Sequence, residues 1–184
     1  MRFLVLLIFV LSIFSCKNEE KVQVRNPFLV AKHSIGLIND STQVKDLKRI
    51  FANDSILSFK EDDSFIGGIN FIDIYEKNGN KLLSIYPTDS HDSTASLDFV
   101  ILKDSRYKTE KGISNLSTYK DIKKAYTISK IDNLLDVIEI RVNEIDASFI
   151  IDKKELVTNF DFGKKIDSTE ISDTIKVSKF LINF

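Results

Sequence analysis

Strand-like segments joined in pairs by short turns constrain the fold of this chain more than any other sequence feature. Residues 137–142 alternate strictly, with apolar side chains on one side and Glu139 and Arg141 on the other. Residues 147–152 follow after only a short turn, and such a connection can join antiparallel strands but not parallel ones. The pattern therefore predicts an antiparallel sheet.

Further segments extend this pattern along the chain. Four of them have the composition of strands: residues 70–76, 81–86, 97–102 and 175–184. The first two flank Asn78-Gly79, a dipeptide that supplies the positive φ angles of a tight hairpin turn. The polar stretch 159–173 is predicted to be a loop.

The chain also contains an internal duplication. Residues 42–51 and 117–126 match without a gap and share the pattern Lys-Asp-aliphatic-Lys. Each segment follows a glycine in similar surroundings, Gly36 in the first copy and Gly112 in the second.

Each copy predicts a short amphipathic helix. The apolar faces consist of Val44, Leu47, Ile50 and Phe51 in the first copy, and of Tyr119, Ile122, Ala125 and Tyr126 in the second. The hydroxyls of Thr42 and Ser117 stand where an N-cap is needed, so we predict that they cap the two helices.

These features predict a mainly β fold, with an α+β class as the alternative. We expect an antiparallel sandwich or a partly closed barrel of two duplicated halves, each with one short helix packed at an end. Residues 29–184 would form a single β-rich domain, since a chain of this size commonly folds around one core.

The N-terminus has the features of a secretory signal. Arg2 precedes an unbroken apolar run at residues 3–11, and Cys16 follows the small residue Ser15. A membrane-spanning helix is the alternative, but it needs about 20 apolar residues, and charged residues appear here before that length. Residues 1–15 are therefore interpreted as a lipoprotein signal peptide.

Cys16 is the only cysteine, so it has no partner for a disulfide within the chain. Its position resembles the lipobox of bacterial lipoproteins, with a larger residue than usual at Phe14, as in Bacteroidota. That resemblance implies a diacylglycerol on the thiol, and two acyl chains hold a protein stably on a membrane. Residues 16–28 would be the lipidated tether of an outer-membrane protein, on the periplasmic face or at the cell surface.

Composition limits the classes of ligand. The formal net charge is −1, and the charges are interspersed, which argues against nucleic-acid binding. No Gly-rich segment ends in the Gly-Lys-Ser/Thr of a phosphate loop. Because the chain has no tryptophan, a sugar-binding platform would depend on Tyr75 and Tyr86.

One loop contains the residue types of a hydrolase triad. Only two histidines are present, His33 and His91, and both lie in polar surroundings. His91 has Ser90, Asp89 and Asp92 close to it in sequence, but triad members usually come from separated parts of a fold. The Gly-x-Ser-x-Gly elbow of α/β-hydrolases is absent. The favoured interpretation is a solvated hairpin loop.

Acidic residues offer weak candidates for a metal site. Asp89, His91 and Asp92 could bind a divalent metal, and residues 61–63 and 161–167 could bind calcium, but none has the ligand spacing of a calcium loop. We therefore predict no catalytic, cofactor-binding or metal-binding residue. Cys16 is the one predicted site, for lipidation.

Several features are similar to those of a known family: the leader with Cys16, the Gly36 segment, the Asn78-Gly79 hairpin, Gly112 with its following helix, and the closing residues 175–180. The chain resembles the uncharacterised bacterial lipoproteins typified by the enterobacterial envelope-stress (sigma-E)-regulated lipoprotein, in a Bacteroidota-type form. The resemblance implies an outer-membrane lipoprotein with a mainly β domain, and it carries over no catalytic residue. Enterobacterial relatives have additional cysteines that this chain lacks.

The sequence favours a membrane-anchored envelope lipoprotein. Its domain would be a non-catalytic module that binds an envelope protein or a cell-wall component. The membrane would be a partner through the lipid on Cys16. A hydrolase acting on envelope polymers is one alternative, motivated only by the loop around His91. A small-ligand carrier with a cavity between the two β halves is another.

Overall fold

The computed structural model describes residues 26–60, 70–156 and 161–184. In these ranges the chain forms twelve strands: β1 Leu29–Ala31, β2 Ser34–Ile35, β3 Ile38–Asn39, β4 Ser55–Lys60, β5 Asn70–Tyr75, β6 Lys81–Pro87, β7 Leu97–Leu102, β8 Lys108–Thr109, β9 Lys130–Asn133, β10 Val137–Val142, β11 Ala147–Asp152 and β12 Lys179–Asn183. The same ranges contain two short α-helices, α1 Leu47–Ile50 and α2 Tyr119–Ala125, and 3-10 turns at Val44–Asp46, Lys153–Glu155 and Ser168–Glu170.

Eight strands form one antiparallel sheet in the order β4-β5-β6-β7-β12-β11-β10-β9. The four shortest strands form a second sheet in the order β3-β2-β1-β8, in which only β1 and β8 run parallel. No closed barrel is present among the described strands. The predicted mainly β class is confirmed, in its sandwich-like form.

The large sheet consists of two four-stranded meanders that meet where β7 pairs with β12. Ile101 lies opposite Leu181 at this join. The neighbouring pairs are Leu102 with Phe180 and Val100 with Ile182. An approximate two-fold axis therefore passes between Ile101 and Leu181 and relates the two meanders.

Each helical segment is held to its own meander by an equivalent hydrogen bond. The Val44 amide donates to the Ala95 carbonyl at 3.1 Å, and the Tyr119 amide donates to the Ile175 carbonyl at 2.9 Å. Ala95 and Ile175 are as far apart in sequence as Ile101 and Leu181, the pair beside the two-fold axis. The predicted duplication therefore extends from the helices into the sheet.

The predicted N-cap of the second helix is one residue too early. Thr118 caps α2, and its hydroxyl accepts a hydrogen bond from the Asp121 amide at 3.3 Å. Ser117 instead accepts from the Ser114 amide at 3.1 Å. The Ser117 hydroxyl thus closes the turn that precedes the helix, and Thr118 satisfies the helix amide.

The first copy behaves in the same way. Gln43 has the N-cap position of the 3-10 turn before α1, so Thr42 is not the cap. The Thr42 hydroxyl accepts from the Asn39 amide at 3.0 Å, three residues earlier, as the Ser117 hydroxyl does in the second copy. Both predicted caps are wrong, but the two hydroxyls occupy equivalent positions.

The Asn78-Gly79 hairpin is confirmed, with a different turn. Gly79 has φ 91°, whereas Asn78 does not have a positive φ angle. The Asn78 side chain accepts from the Asn80 amide at 2.9 Å, and the Gly79 amide donates to the Glu76 carbonyl at 2.9 Å. The loop between β5 and β6 is longer than the two-residue primed turn, so one left-handed residue is sufficient.

The last strand begins later than predicted, at Lys179. The chain before it supports α2, because the Ile175 carbonyl accepts from the helix. In the predicted loop 159–173, of which residues 159 and 160 lie outside the described ranges, Ile166 and Ile171 are buried. These two side chains fix the connection to the core.

The core lies on one face of the large sheet. Apolar side chains from adjacent strands follow one another across this face: Ile74, Leu83, Leu102, Phe180, Phe149 and Ile140. Phe149 and Phe180 are fully buried and stack with ring centroids 4.5 Å apart. The opposite face of the same sheet carries most of the polar groups discussed below.

Candidate functional site

The loop around His91 does not have the geometry of a hydrolase triad. Ser90 Oγ lies 3.4 Å from His91 Nδ1, and Asp89 Oδ1 lies 3.6 Å from the same nitrogen. In a triad the nucleophile and the acid use opposite ring nitrogens. The His91 side chain is also 85% exposed. The structure supports the solvated loop.

The acidic residues near His91 stabilise turns. Hydrogen bonds from the Thr94 hydroxyl and amide to Asp92 lower the pKa of that carboxyl group. Asp89 accepts from the His91 amide at 2.8 Å. Asp89 and Asp92 thus already accept hydrogen bonds from the backbone of their own loop.

Of the other two acidic segments, the one that the structure describes gives no metal site. Residues 61–63 lie outside the described ranges. In the segment 161–167, Asp167 accepts from the Thr169 amide at 2.9 Å and caps a 3-10 turn. Among the residues that the structure describes, no group of three or more His, Cys, Asp or Glu side chains could hold a metal ion.

His33 joins two turns that are distant in sequence. Its Nε2 lies 2.6 Å from Asp146 Oδ2, and its Nδ1 lies 3.0 Å from Asp40 Oδ1. Lys32 Nζ lies 3.0 Å from the same Asp146 oxygen, and this hydrogen bond lowers the pKa of Asp146. Since both ring nitrogens contact carboxylates, His33 has a bridging role between the turns.

Asp73 is a buried carboxylate on the face of the large sheet opposite the core. Its side chain is 3% exposed, and it accepts from the Ser84 hydroxyl at 2.7 Å and the Tyr75 hydroxyl at 3.3 Å. Lys81 Nζ lies 2.5 Å from Asp73 Oδ2, the oxygen that also accepts from the Tyr75 hydroxyl. Burial of a charge is tolerated here because it is paired and hydrogen-bonded.

A cluster of lysines surrounds this carboxylate. Burial lowers the pKa of Lys103, and the nearby ammonium groups of Lys81 and Lys179 lower it further, while Asp73 raises it. Lys81 is thus the one lysine in ion-pair contact with Asp73 among the described residues, and Lys103 interacts with Asp73 as a neighbouring charge.

Tyr86 is not a platform for a sugar ring. It stacks on Phe99 with centroids 4.3 Å apart and on Phe71 with centroids 5.4 Å apart. Both ring faces are occupied, so the Tyr86 ring has no face left for a ligand. The Tyr75 ring lies 5.7 Å from Lys81 Nζ, and its hydroxyl is used by Asp73.

The corresponding face of the second meander is charged. Ser148, which the two-fold axis relates to Ser84, donates to Glu139 at 2.6 Å. Arg141 lies 2.9 Å from Glu139 and 3.4 Å from Asp132. The two meanders thus share a core pattern and have diverged on their outer faces.

An exposed apolar patch lies at the turn between β9 and β10. Leu134, Leu135 and Phe162 are 42%, 70% and 68% exposed. Phe162 is brought there because the Asn133 side chain donates to the Asp161 carbonyl at 2.7 Å and the Gly163 amide donates to the Asn133 carbonyl at 3.3 Å. We call these three side chains the apolar patch.

Several cavities open at the surface of the described part of the chain. One of about 720 Å³ lies beside α2, one of about 550 Å³ lies between β11 and the segment before β12, and one of about 130 Å³ lies beside Phe28. None of these three lies between the two meanders, where the ligand of a small-molecule carrier was predicted. The largest is lined by lysines and serines.

Sequence reasoning missed the apolar patch and the basic cavity. Two signals were present: Leu134-Leu135 and Phe162 are large apolar residues in otherwise polar segments, and such side chains at the surface mark contact sites. Asp73 had only a weak signal, as a single charge within an apolar strand.

The predicted lipidation site, Cys16, lies outside the described residues. No helix in the described part of the chain is long and apolar enough to cross a membrane.

The Phe28 ring contacts Tyr107 edge-to-face at 5.1 Å, and the Arg106 guanidinium lies 4.4 Å from the centroid of the Phe28 ring. The start of the domain is thus packed against the chain that leads into β8.

The fold places this chain among mainly β proteins with two sheets and few helices. Neither a protein-family model nor a curated protein sequence matches it. Its structure is similar to the crystal structure of the uncharacterized protein yfeY from Escherichia coli, with a TM-score of 0.59 and 14% sequence identity. The similarity covers 84% of this chain and 99% of that one, and it shows a shared fold.

Proposed function

We propose that this chain is a membrane-anchored envelope lipoprotein whose β domain is a non-catalytic module that binds a protein partner. The proposal includes the outer membrane as its location, and membership of the lipoprotein family that the sequence resembles, as a Bacteroidota-type form. The observation that carries the anchor is Cys16, directly after a short apolar run and a small residue.

The apolar patch favours a protein partner over a cell-wall polymer. Its three large side chains expose much of their surface to solvent on two segments that Asn133 holds together, and exposed apolar surface grouped in this way marks protein interaction sites. Tyr86 has no free face for a sugar, which weakens the glycan alternative. The geometry around His91 likewise gives a hydrolase no support.

Replacing Cys16 by alanine is expected to abolish lipidation and to leave the precursor uncut. The thiol is the atom that would receive the lipid, and no other cysteine can replace it. The measurement is incorporation of an alkyne-labelled fatty acid in a native host, followed by intact-mass analysis of the membrane fraction. Ser15→Ala, which keeps a small residue before the cysteine, serves as the control and should be labelled normally. An unmodified Cys16 in the wild-type chain would refute the anchor.

A photo-crosslinking residue at Leu135 is expected to capture one discrete partner from living cells that express the acylated chain. The same residue at Leu57, which is 47% exposed on β4, is the matched control and should capture little. Adding Phe162→Asp should reduce capture from position 135 about tenfold, since an added charge disfavours an apolar contact. Equal capture from the two positions would contradict a binding role for the patch.

A further inference from the structure

A basic groove of about 720 Å³ lies beside α2, within the size range of small-ligand sites. Its polar lining consists of Lys108, Lys111, Lys124, Ser105, Ser114, Ser117 and Asp121. The Asp121 carboxylate already accepts from the amide and the hydroxyl of Thr118, both at 2.8 Å. The groove therefore has an excess of positive charge.

Two of its lysines, Lys108 and Lys124, form no ion pair with the residues that the structure describes. Asp121 acts on Lys124 only as a neighbouring charge, because its carboxylate is hydrogen-bonded by Thr118. Lys111 is fixed in place, because its Nζ donates to the Ala125 carbonyl at 2.7 Å and to Glu144 at 3.0 Å. The Lys111 ammonium also lies 4.2 Å from the centroid of the Tyr126 ring, so it contributes positive charge to the groove rather than a free donor.

Buried hydroxyls add neutral donors. Ser114 and Ser117 are 6% and 8% exposed and line the groove. The Ser117 hydroxyl accepts from the Ser114 amide at 3.1 Å, and the Ser114 hydroxyl accepts from the Leu116 amide at 3.3 Å. Each hydroxyl that accepts from an amide still has its own hydrogen to donate. Ammonium groups combined with hydroxyl donors suit the several oxygens of a phosphate group.

In the second copy of the duplication, small residues leave space for this groove. Aligned by their equivalent hydroxyl turns, and not by Gly36 and Gly112, the two copies pair Gly112 with Leu37, and Ala125 with Ile50. A Cβ atom at Gly112 would meet nothing within 4 Å, so this position is open. Two large apolar side chains of the first copy are thus replaced by small residues at the groove.

The groove also lies close to the start of the domain. The Lys108 amide donates to the Phe28 carbonyl at 3.0 Å, and Lys108 pairs with Leu29 across the small sheet. About a dozen residues separate Cys16 from Phe28, and such a segment spans at most about 40 Å. An acylated Cys16 would therefore keep the groove within reach of the lipid head groups.

We propose that this groove binds the phosphate of an anionic lipid head group in the membrane to which the chain is anchored. This inference rests on the proposed lipid anchor. Lys108 and Lys124 contact the phosphate oxygens, and the Ser114 and Ser117 hydroxyls donate to them. The groove thereby orients the domain on the membrane.

The test uses the acylated chain in nanodiscs of phosphatidylcholine alone or with phosphatidylglycerol, and measures the rate of lysine acetylation by mass spectrometry. On the anionic discs we expect acetylation of Lys108 and Lys124 to be about fivefold slower, the effect of one lysine held at an anionic surface. Lys48 and Lys120, on the two helices but outside the groove lining, should react at the same rate on both discs.

Hydrogen exchange at residues 112–117 gives a second measurement. Exchange should slow on anionic discs for the wild type and for Lys48→Ala/Lys120→Ala, but not for Lys108→Ala/Lys124→Ala.

Equal exchange and equal acetylation on both discs would overturn the proposal. Protection by soluble glycerol 3-phosphate in neutral micelles, with none on anionic discs, would assign the groove to a free phosphate ester instead. Co-elution of the chain with the discs reports the anchor separately, so failure of the anchor and failure of the groove are distinguishable.

Discussion

Replacing Phe180 by alanine is expected to lower the free energy of unfolding by about 3–5 kcal/mol. Phe180 is fully buried, stacks on Phe149 with centroids 4.5 Å apart, and pairs with Leu102 across the join of the two meanders. Its loss would leave a cavity where the halves meet, and β12 has few other large core side chains. Urea denaturation followed by circular dichroism measures the change.

The control for this substitution is Leu57→Ala, on the outer strand β4, where the side chain is 47% exposed and the cost should stay within about 0.5 kcal/mol. A double-mutant cycle with Phe149→Ala should give a coupling of about 0.5–1.5 kcal/mol from the stacked rings. A Phe180 variant as stable as the Leu57 variant would mean that the join of the meanders does not limit stability.

Replacing Lys81 by methionine is expected to cost about 3 kcal/mol, because Asp73 would be left buried without its cation. This is the low end of the range for a broken buried pair, since the Lys81 side chain is 31% exposed whereas that of Asp73 is 3% exposed. The matched control is Lys123→Met at the surface pair with Asp173, which should cost less than about 1 kcal/mol.

Adding Asp73→Asn to the Lys81→Met variant should restore much of the lost stability. The amide removes the buried charge, and its oxygen can still accept from the Ser84 hydroxyl. If the double variant were as unstable as Lys81→Met alone, the loss would come from the contacts of the Lys81 ammonium with the Phe71 and Tyr75 rings and not from the unpaired carboxylate.

Strand positions were predictable wherever a local period was complete. Residues 97–102, 137–142 and 147–152 have the predicted bounds. Residues 137–142 alternate, which reports directly which face is buried, and residues 97–102 form a short apolar run of strand length. The two-residue strands β2 and β3 gave no period to recognise. The cap of α2 shifted by one residue because the neighbouring hydroxyls of Ser117 and Thr118 compete for the same role. In the first copy the N-cap position falls on Gln43, which has no hydroxyl.

The candidate sites were less predictable, since each depends on residues that are distant in sequence. Asp40 and Asp146 meet at His33, and Asn133 brings Phe162 to the turn after β9. The basic groove depends on the packing of α2 beside β8. No local pattern records such contacts, so the sequence indicated the residue types and not their convergence.

The sequence by itself determined the signal-like leader with its single cysteine, the duplication, the hairpin at Gly79 and the strand pair β10-β11. Each of these features depends on a short sequence segment, in which the period of apolar side chains or the residues of a turn are sufficient to predict it. Only the tertiary structure decided that Ile101 lies opposite Leu181, that Asp73 is buried with Lys81, and that Lys108 and Lys124 share one groove. The physical reason is that strand order and burial depend on long-range packing, which selects one pairing among many with the same local pattern.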